Sequence, residues 1–419
     1  MKNRAMKKQV FVLSALALGL MTGAAFSQAS RLAIQSEPAH GGTPAWHLGP
    51  SFPDPTGFTL VDPDGTVHVI PREERSKYMG GSGVPGGAGG PQCSHSPVCG
   101  RKGGFARSAL ARVAYDQTMG YKFSYPYTVP KGIGGVPSVA LDSKGYLWVF
   151  KRSPAGVVQL MKFDPNHKLV LEVPESVIGH QAKAHGMAVD KDDNVWITDN
   201  GQATVMKLSP EGKLLMTIGV KDKRGDWVEE KGQRLLWQPV MVAFAPNGDV
   251  YIAQGHANES PNDVDSDDPA NQEGVARILH LTKDGKFVGQ WFGNEVGQGK
   301  FDSTHGLAVD PKNGDVWIGD REQYRIVVYT ADGRFIKTLQ MKNLVCALHF
   351  DHQGNPWMAS GQDGQFLKLN RDGKVLGAVG NGMGVGTGQF TEASYWVFDP
   401  KDNLIAGDTS VGRVTVMSK

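Results

Sequence analysis

The stretch His185-Gly186-Met187-Ala188-Val189-Asp190, followed after a turn by Val195-Trp196-Ile197-Thr198-Asp199, decides the fold of this chain. It recurs as His305-Gly306-Leu307-Ala308-Val309-Asp310, followed by Val316-Trp317-Ile318-Gly319-Asp320. Each half has the apolar pattern of a short strand, and the polar residues between the halves are typical of a tight turn. Such self-similarity along a chain indicates a repeat architecture.

Four weaker copies of the unit bring the total to six. They pair 138–142 with 147–150, 242–244 with 250–252, 347–351 with 356–358, and 396–399 with 404–406. Most copies continue with a third apolar strand, a turn such as Asp332-Gly333, and a fourth strand. Asp-Gly between apolar runs indicates a hairpin, because glycine tolerates the positive φ that such turns need. Six units of four antiparallel strands predict an all-β fold, a six-bladed β-propeller with an irregular N-terminal extension.

The sixth copy lacks a fourth strand, because the sequence runs out shortly after Val414-Thr415-Val416. An open ring would leave an unpaired strand edge, which is a liability for a soluble protein. We therefore predict that residues near Tyr121 to Val129 supply the missing outer strand and close the ring.

The N-terminal segment has the pattern of a secretory signal peptide. Basic residues at positions 2, 4, 7 and 8 precede an apolar run over 11–25, and small residues at 25 and 27 predict cleavage before Gln28. No later stretch approaches the roughly 20 apolar residues of a membrane-spanning helix. We expect a signal peptide at 1–27, an extension at 28–120 and the propeller at 121–419, in a secreted or periplasmic protein. The extension contains a Gly/Pro-rich linker at 80–91 and a strand–turn–strand pattern within 58–70.

Charge and cysteine content narrow the classes of partner. The chain has 44 basic and 42 acidic residues, and without the four basic residues of the signal the mature balance is 40 to 42. This balance gives no electrostatic reason to expect nucleic acid or an anionic membrane as partner.

Export permits a disulfide between Cys93 and Cys99. Cys346 is then left over, either as a buried inert thiol or as a reactive one.

The segment Phe301 to Asp310 resembles the start of an NHL repeat, with a glycine-rich lead-in at 297–300 and a second such lead-in at 386–390. More closely, residues 134–416 resemble the lyase domain of peptidylglycine α-amidating enzymes. The resemblance implies a six-bladed propeller that uses zinc to cleave peptidyl-α-hydroxyglycine into a peptide amide and glyoxylate. It also implies site residues: His185 and His305 match the first two zinc histidines, and Arg152 and Arg321 match two arginines that line the active site.

Three functional positions differ from that family's pattern. Ser394 stands where the third zinc histidine is expected, and His256 stands where the catalytic tyrosine is expected. Tyr395 replaces an acidic residue that the family links to a structural calcium. The resemblance therefore predicts an inherited scaffold with an altered site.

The two matched histidines open the same strand of alternate repeats, so both are expected to face the central channel. A catalytic zinc usually takes three protein ligands and leaves one position open. We predict His256 as a relocated third ligand or as a proton-transfer base, and Cys346 is a weaker candidate ligand. The alternative is that the histidines bond blade backbones and His256 lies in a loop.

Arg152 and Arg321 are predicted to attract an anion beside these histidines. A guanidinium binds a carboxylate through two parallel N–H groups. The alternative is a pair of inter-blade salt bridges, with Asp320 or Glu322 as partners.

A loop at 258–273 contains four closely spaced aspartates, at positions 263, 265, 267 and 268. Alternating carboxylates suit calcium, a cation that prefers oxygen ligands. The alternative is a solvated insertion.

Two classes of function remain open from the sequence. The first is a zinc-dependent lyase or hydrolase that acts on a small or peptidic substrate with a carboxylate. The second is a non-catalytic propeller that binds a protein, peptide or glycan. A calcium-dependent lactonase-like propeller is a third class, but the strand starts lack the Glu/Asn/Asp set that we would expect of it.

Overall fold

Each of the six sequence repeats forms one four-stranded antiparallel sheet in the computed structural model of the chain. The structure describes the backbone of 57–61 and 67–71 and, further along, residues 115, 119–130, 134–181, 183–255, 276–293, 301, 303–321, 324–361, 363–382, 386–409 and 411–419. The fold is the predicted β-propeller. The signal peptide, the linker, both cysteines of the predicted disulfide, His256, Glu322 and the aspartate-rich loop lie outside the described residues.

The strands are numbered in chain order, and each sheet is one blade. Blade 1 contains β4 (Ser138–Leu141), β5 (Leu147–Phe150), β6 (Leu160–Phe163) and β7 (Leu169–Val173). Blade 2 contains β8 (Ala184–Val189), β9 (Val195–Asp199), β10 (Thr204–Leu208) and β11 (Leu214–Ile218). Blade 3 contains β14 (Pro239–Phe244), β15 (Val250–Gln254), β16 (Arg277–Leu281) and β17 (Phe287–Trp291).

The second half of the ring follows the same plan. Blade 4 contains β18 (Thr304–Val309), β19 (Val316–Asp320), β20 (Arg325–Tyr329) and β21 (Phe335–Gln340). Blade 5 contains β22 (Ala347–Phe350), β23 (Pro356–Ala359), β24 (Phe366–Leu369) and β25 (Val375–Val379). Blade 6 contains β26 (Trp396–Phe398), β27 (Leu404–Asp408), β28 (Val411–Ser418) and β3 (Lys122–Ser124).

Blade 6 closes the ring with an N-terminal strand, as predicted. Strand β3 pairs antiparallel with β28, with Lys122 opposite Ser418 and Ser124 opposite Val416. The pairing covers the outer edge of β28, which would otherwise present unpaired backbone groups to other chains.

The described elements outside the blades are short. Strands β1 (Gly57–Val61) and β2 (Val67–Pro71) form an antiparallel pair, which confirms the predicted strand–turn–strand. A second small pair joins β12 (Trp227–Val228) to β13 (Gln233–Arg234) around a 3₁₀ turn at Glu229–Lys231. One helical turn, α1 (Glu175–Ile178), connects blades 1 and 2. Within the described ranges, no helix has both the length and the apolar character that a membrane crossing needs.

The hydrophobic core lies between neighbouring blades. Six buried apolar clusters fill the spaces between sheets, and one of them joins blade 6 to blade 1. The second strands of four blades each contribute an equivalent, fully buried tryptophan: Trp148, Trp196, Trp317 and Trp357. Truncating such a residue to alanine typically costs about 3–5 kcal/mol, so these interfaces hold the ring together.

The aspartate that ends the first strand of a repeat anchors the following turn. Asp190 Oδ1 accepts hydrogen bonds from the backbone N–H groups of Asp192 and Asn194. Its other oxygen accepts from Trp196 Nε1 at 3.0 Å and pairs with Lys207 Nζ at 3.0 Å. One carboxylate therefore connects the first, second and third strands, which explains the recurring aspartate and tryptophan of the repeat.

Asp351 plays the same part in blade 5. Burial alone would raise the pKa of this carboxyl, but hydrogen bonds from Asn355, Trp357 and Lys368 outweigh burial and lower the pKa to about 2. The anionic form is therefore the form that stabilises the blade.

Candidate functional site

The first strands of the blades line the centre of the ring. Neighbouring first strands contact one another from β4 through β8, β14 and β18 to β22, and β26 returns to β4. The repeat alignment assigns six equivalent positions at the start of these strands, which we call the inner ring: Pro137, His185, Val240, His305, Cys346 and Ser394. The two predicted histidines therefore belong to blades 2 and 4, and the third family position belongs to blade 6.

Both histidines sit at β-bulges. The pairing of β8 with β9 shifts register between Ala184 and Met187, and that of β18 with β19 shifts between Thr304 and Gly306. A bulge re-aims the side chain that it carries, and such irregularities are common next to functional sites. His185 and His305 are buried, and their ring centroids are 4.7 Å apart. The structure thus brings together two residues that are 120 positions apart in the sequence.

Each histidine ring is fixed through its Nδ1 atom by the next blade. His185 Nδ1 lies 3.0 Å from the carbonyl oxygen of Val240, and His305 Nδ1 is bonded to the carbonyl oxygen of Cys346. A carbonyl can only accept, so in both rings Nδ1 carries the proton and Nε2 is the basic nitrogen. Metal-binding histidines in proteins are usually oriented in this way.

The glycine after His185 makes this arrangement possible. A Cβ atom at Gly186 would lie 2.3 Å from the Val240 carbonyl oxygen, which is the atom that His185 Nδ1 contacts. Thr198 supports the same carbonyl, because its hydroxyl donates to Val240 O at 2.9 Å and accepts from Gly186 N at 2.8 Å. A glycine is therefore required directly after His185, because blades 2 and 3 approach too closely there for a side chain.

Tyr395 packs against both histidines, a contact that the sequence did not reveal. Its ring is stacked on His305 with centroids 5.8 Å apart, and it meets His185 edge-on at 5.5 Å. Its hydroxyl donates to the main-chain oxygen of His305 at 2.7 Å. Burial, reinforced by the neighbouring Cys346 and Glu392, raises the pKa of Tyr395 well above its ordinary value. The phenol therefore stays protonated and keeps this bond.

The two predicted arginines lie at the same end of the ring. Arg152 follows β5, and its Nε donates to the carbonyl oxygen of Ala184, the residue before His185, at 2.8 Å. Arg321 follows β19 at the equivalent position of blade 4, and its Nε lies 3.1 Å from Cys346 Sγ. Both charges bear on the pKa of Tyr395. The structure therefore places Arg152 against the residue before His185, and Arg321 against the inner-ring residue of blade 5.

The structure forms the inter-blade salt bridge that was the alternative for Arg321, but with a partner that the sequence did not suggest. Asp320 pairs instead with Arg325 at 2.8 Å, because both side chains are buried in blade 4. The carboxylate beside Arg321 is Glu392, whose Oε1 lies 2.9 Å from its guanidinium. Glu392 lies in the loop that enters blade 6, and no repeat signal in the sequence marks it.

Cys346 is fully buried, yet its surroundings are polar. Its thiol accepts from Arg321 Nε and lies 3.9 Å from Glu392 Oε1. It occupies the inner-ring position of blade 5. The expectation of a buried inert thiol therefore accounts for the burial of Cys346 but not for its polar neighbours.

Buried aspartates fix the loops that lead into the site. Asp199, Asp320 and Asp408 end the second strands of blades 2, 4 and 6. Each accepts a backbone N–H from a residue two or three positions before the inner ring, namely Lys183, Ser303 and Thr391. Burial raises the pKa of Asp199, and backbone hydrogen bonds and Arg152 act in the opposite direction.

The described residues do not complete a metal site by themselves. Among them, no group of three or more His, Cys, Asp or Glu side chains is arranged to hold a metal ion. Of the predicted ligands, the structure brings His185 and His305 together, and Ser394 stands at the position where the resemblance leads one to expect a third histidine. The predicted third ligand, His256, follows β15 and lies outside the described residues.

Comparisons with known proteins agree with this geometry. The NHL repeat family model matches residues 301–329, which include His305. The rat peptidylglycine alpha-amidating monooxygenase is 27% identical over 236 residues, covering 49% of this chain and 22% of the rat protein. Peptidyl-alpha-hydroxyglycine alpha-amidating lyase 1 of Drosophila melanogaster is 28% identical over 163 residues, covering 36% of this chain and 26% of the fly protein. The propeller is related to the amidating lyases.

The relationship to the amidating lyases is distant and covers part of each protein. The matched regions amount to about a quarter of the rat and fly proteins. A solved gluconolactonase of Xanthomonas campestris shares the fold, with a TM-score of 0.51 and 15% identity over 73% of this chain and 94% of that one. The scaffold is thus common to more than one enzyme class, and function depends on the site that it carries.

Proposed function

We propose that this chain is an exported, metal-dependent enzyme of the amidating-lyase type, acting on a small or peptidic substrate with a carboxylate. The observation that carries the proposal is the pair of buried histidine rings 4.7 Å apart, each held through Nδ1 by a backbone carbonyl of the next blade. A purely structural propeller has no evident need for such a pair. The distant relationship to amidating lyases supports the same class.

The residues that would hold a zinc ion are His185 and His305 through Nε2, with His256 as the proposed third ligand. Two histidines alone would bind weakly, because catalytic zinc sites usually have three protein ligands. When bound, zinc polarises a substrate oxygen or lowers the pKa of its water. A calcium site in the loop at 258–273 is a further proposal from the sequence.

The chain's own residues would then bind and orient the substrate. Arg152 is the proposed carboxylate-binding residue, because its Nε contact with the Ala184 carbonyl places the guanidinium beside His185. A fixed guanidinium gives a carboxylate a defined orientation. Tyr395 keeps its proton and holds the backbone of His305. His256 is the proposed residue that moves a proton, if it does not bind metal.

A non-catalytic binding propeller is the second candidate. One observation favours it: Ser394 occupies the inner-ring position of blade 6, where the family has a histidine. A serine hydroxyl is a poor zinc ligand, so loss of metal would leave a channel mouth suited to binding a peptide, protein or glycan.

Metal analysis of the purified mature protein separates the two candidates. We expect about one transition metal ion per chain, and its loss in the double variant His185→Ala/His305→Ala. His352→Ala is the matched control, because His352 is an exposed histidine that pairs with Asp402 away from the inner ring. Absence of metal after zinc supplementation would reject the metalloenzyme and leave the binding scaffold.

Export is proposed from the N-terminal pattern and is tested separately. The mature protein is expected in the extracellular or periplasmic fraction, beginning at Gln28, as read by mass spectrometry of its N-terminal peptide. Recovery of uncleaved chain from the cytoplasm would contradict export without bearing on the metal site.

A further inference from the structure

Arg321 and Arg152 occupy equivalent positions in blades 4 and 1, and each is held by a contact of its Nε atom. Arg152 Nε contacts a backbone carbonyl. Arg321 contacts two side chains of other blades, Cys346 Sγ at 3.1 Å through Nε and Glu392 Oε1 at 2.9 Å through a terminal nitrogen. Thiol and carboxylate together hold the guanidinium of Arg321 in one orientation.

The pair of Arg321 and Glu392 is shielded from solvent. Their side chains are only 10% and 14% exposed, so water and salt screen the interaction weakly. A carboxylate from a substrate could reach the same N–H groups of Arg321 only by displacing Glu392. It would also meet the negative charge of Glu392 at close range, which is unfavourable in a poorly solvated site.

We propose that Glu392 is an internal counter-ion for Arg321 and sets the substrate specificity of the site. In this arrangement the channel mouth accepts substrates with a single carboxylate and rejects those with two. The inference rests on the proposed function, in which Arg152 takes the substrate carboxylate. Glu392 is then a specificity-determining residue rather than a catalytic one.

The position of Glu392 in the chain supports this role. It lies two residues before Ser394 and three before Tyr395, so one loop supplies the counter-ion, the blade 6 inner-ring residue and the aromatic ring against both histidines. The loop is anchored by Thr391, whose backbone N–H and hydroxyl both donate to Asp408. The carboxylate of Glu392 is therefore presented by a fixed segment.

The test measures binding of two simple probes, malonate with two carboxylates and acetate with one, by calorimetry at equal ionic strength. In Glu392→Gln we expect malonate to bind about 10- to 100-fold more tightly than in the wild type, the range of one charged hydrogen bond. Acetate affinity should change much less. Glu229→Gln is the matched control, since it removes a half-buried carboxylate from the exposed Arg234, far along the chain from this loop.

A double variant, Arg321→Met/Glu392→Gln, should lose the gain in malonate affinity. Equal malonate affinity in wild type and Glu392→Gln, or a gain that persists without Arg321, would overturn the proposal. Should Glu392→Gln fold poorly, its recovery on refolding with malonate but not with chloride supports the proposal, and equal recovery contradicts it. All binding measurements are made with a chelator present, so that malonate affinity does not depend on bound metal. The malonate test can therefore be interpreted even if metal analysis finds no metal.

Discussion

Replacing Asp320 by asparagine should destabilise the propeller strongly. Asp320 is fully buried at the end of β19, where it pairs with Arg325 at 2.8 Å and accepts the backbone N–H of Ser303 at 2.9 Å. Arg325 is itself 2% exposed, so the variant leaves a buried guanidinium without its carboxylate. Removing one partner of a buried ion pair typically costs about 3–5 kcal/mol.

The free energy of unfolding is measured by urea titration with linear extrapolation to water. Asp332→Asn is the matched control in the same blade, because Asp332 also pairs with an arginine, Arg334, but both side chains are largely exposed. The control is expected to match the wild type within error, because solvent screens such pairs. A loss below about 1 kcal/mol for Asp320→Asn would refute the reasoning about buried charge. Adding Arg325→Met should recover part of the loss, since it removes the buried guanidinium that Asp320 normally neutralises.

Three further predictions concern the site and its blades. Gly186→Ala should lower both stability and metal content, because its Cβ would collide with the Val240 carbonyl oxygen; Gly289→Ala, which meets nothing within 4 Å, should leave both unchanged. Tyr395→Phe should cost about 1 kcal/mol in urea unfolding through loss of one buried hydrogen bond, and wild-type stability in this variant would show that the bond contributes nothing. Asp351 has a folded pKa of about 2, below its ordinary value, so its contribution to stability is present at neutral pH and is lost as the pH falls from about 4 through 2. The stability difference between wild type and Asp351→Asn should therefore shrink over that pH range, and a constant difference would contradict the linkage.

The amino-acid sequence by itself determined the architecture. Six apolar repeats with turn residues at fixed offsets predict six blades, and the missing fourth strand of the last repeat predicts closure by residues near 121–129. Strand β3 confirms that closure. The blades can be predicted from the sequence because the two-residue period of a strand and the residue preferences of a turn are set by a few neighbouring residues.

The site was accessible from the sequence only in part. The equivalence of His185 and His305 follows from the repeat, and equivalent positions in a propeller face the same channel. Arg152 and Arg321 were singled out by the family resemblance, and the structure places them at equivalent strand ends. In contrast, Glu392 lies in the loop before the blade 6 repeat unit, so its contact with Arg321 carried no sequence signal. Tyr395 follows an inner-ring position and was singled out as a departure from the family pattern, but nothing in the sequence indicated its contact with His305.

Only the tertiary structure decided which groups neutralise and orient one another. His305 and Tyr395 are 90 positions apart, and Arg321 and Glu392 are 71 apart, so ring closure rather than local pattern brings each pair together. The sequence offered Asp320 only as one possible partner of Arg321, and the structure turns Asp320 into the blade toward Arg325. Successive residues of a strand point to opposite faces, so the side chains of Asp320 and Arg321 diverge although the residues are adjacent in the sequence. Closure of the ring, in contrast, brings side chains that are distant in the sequence into contact.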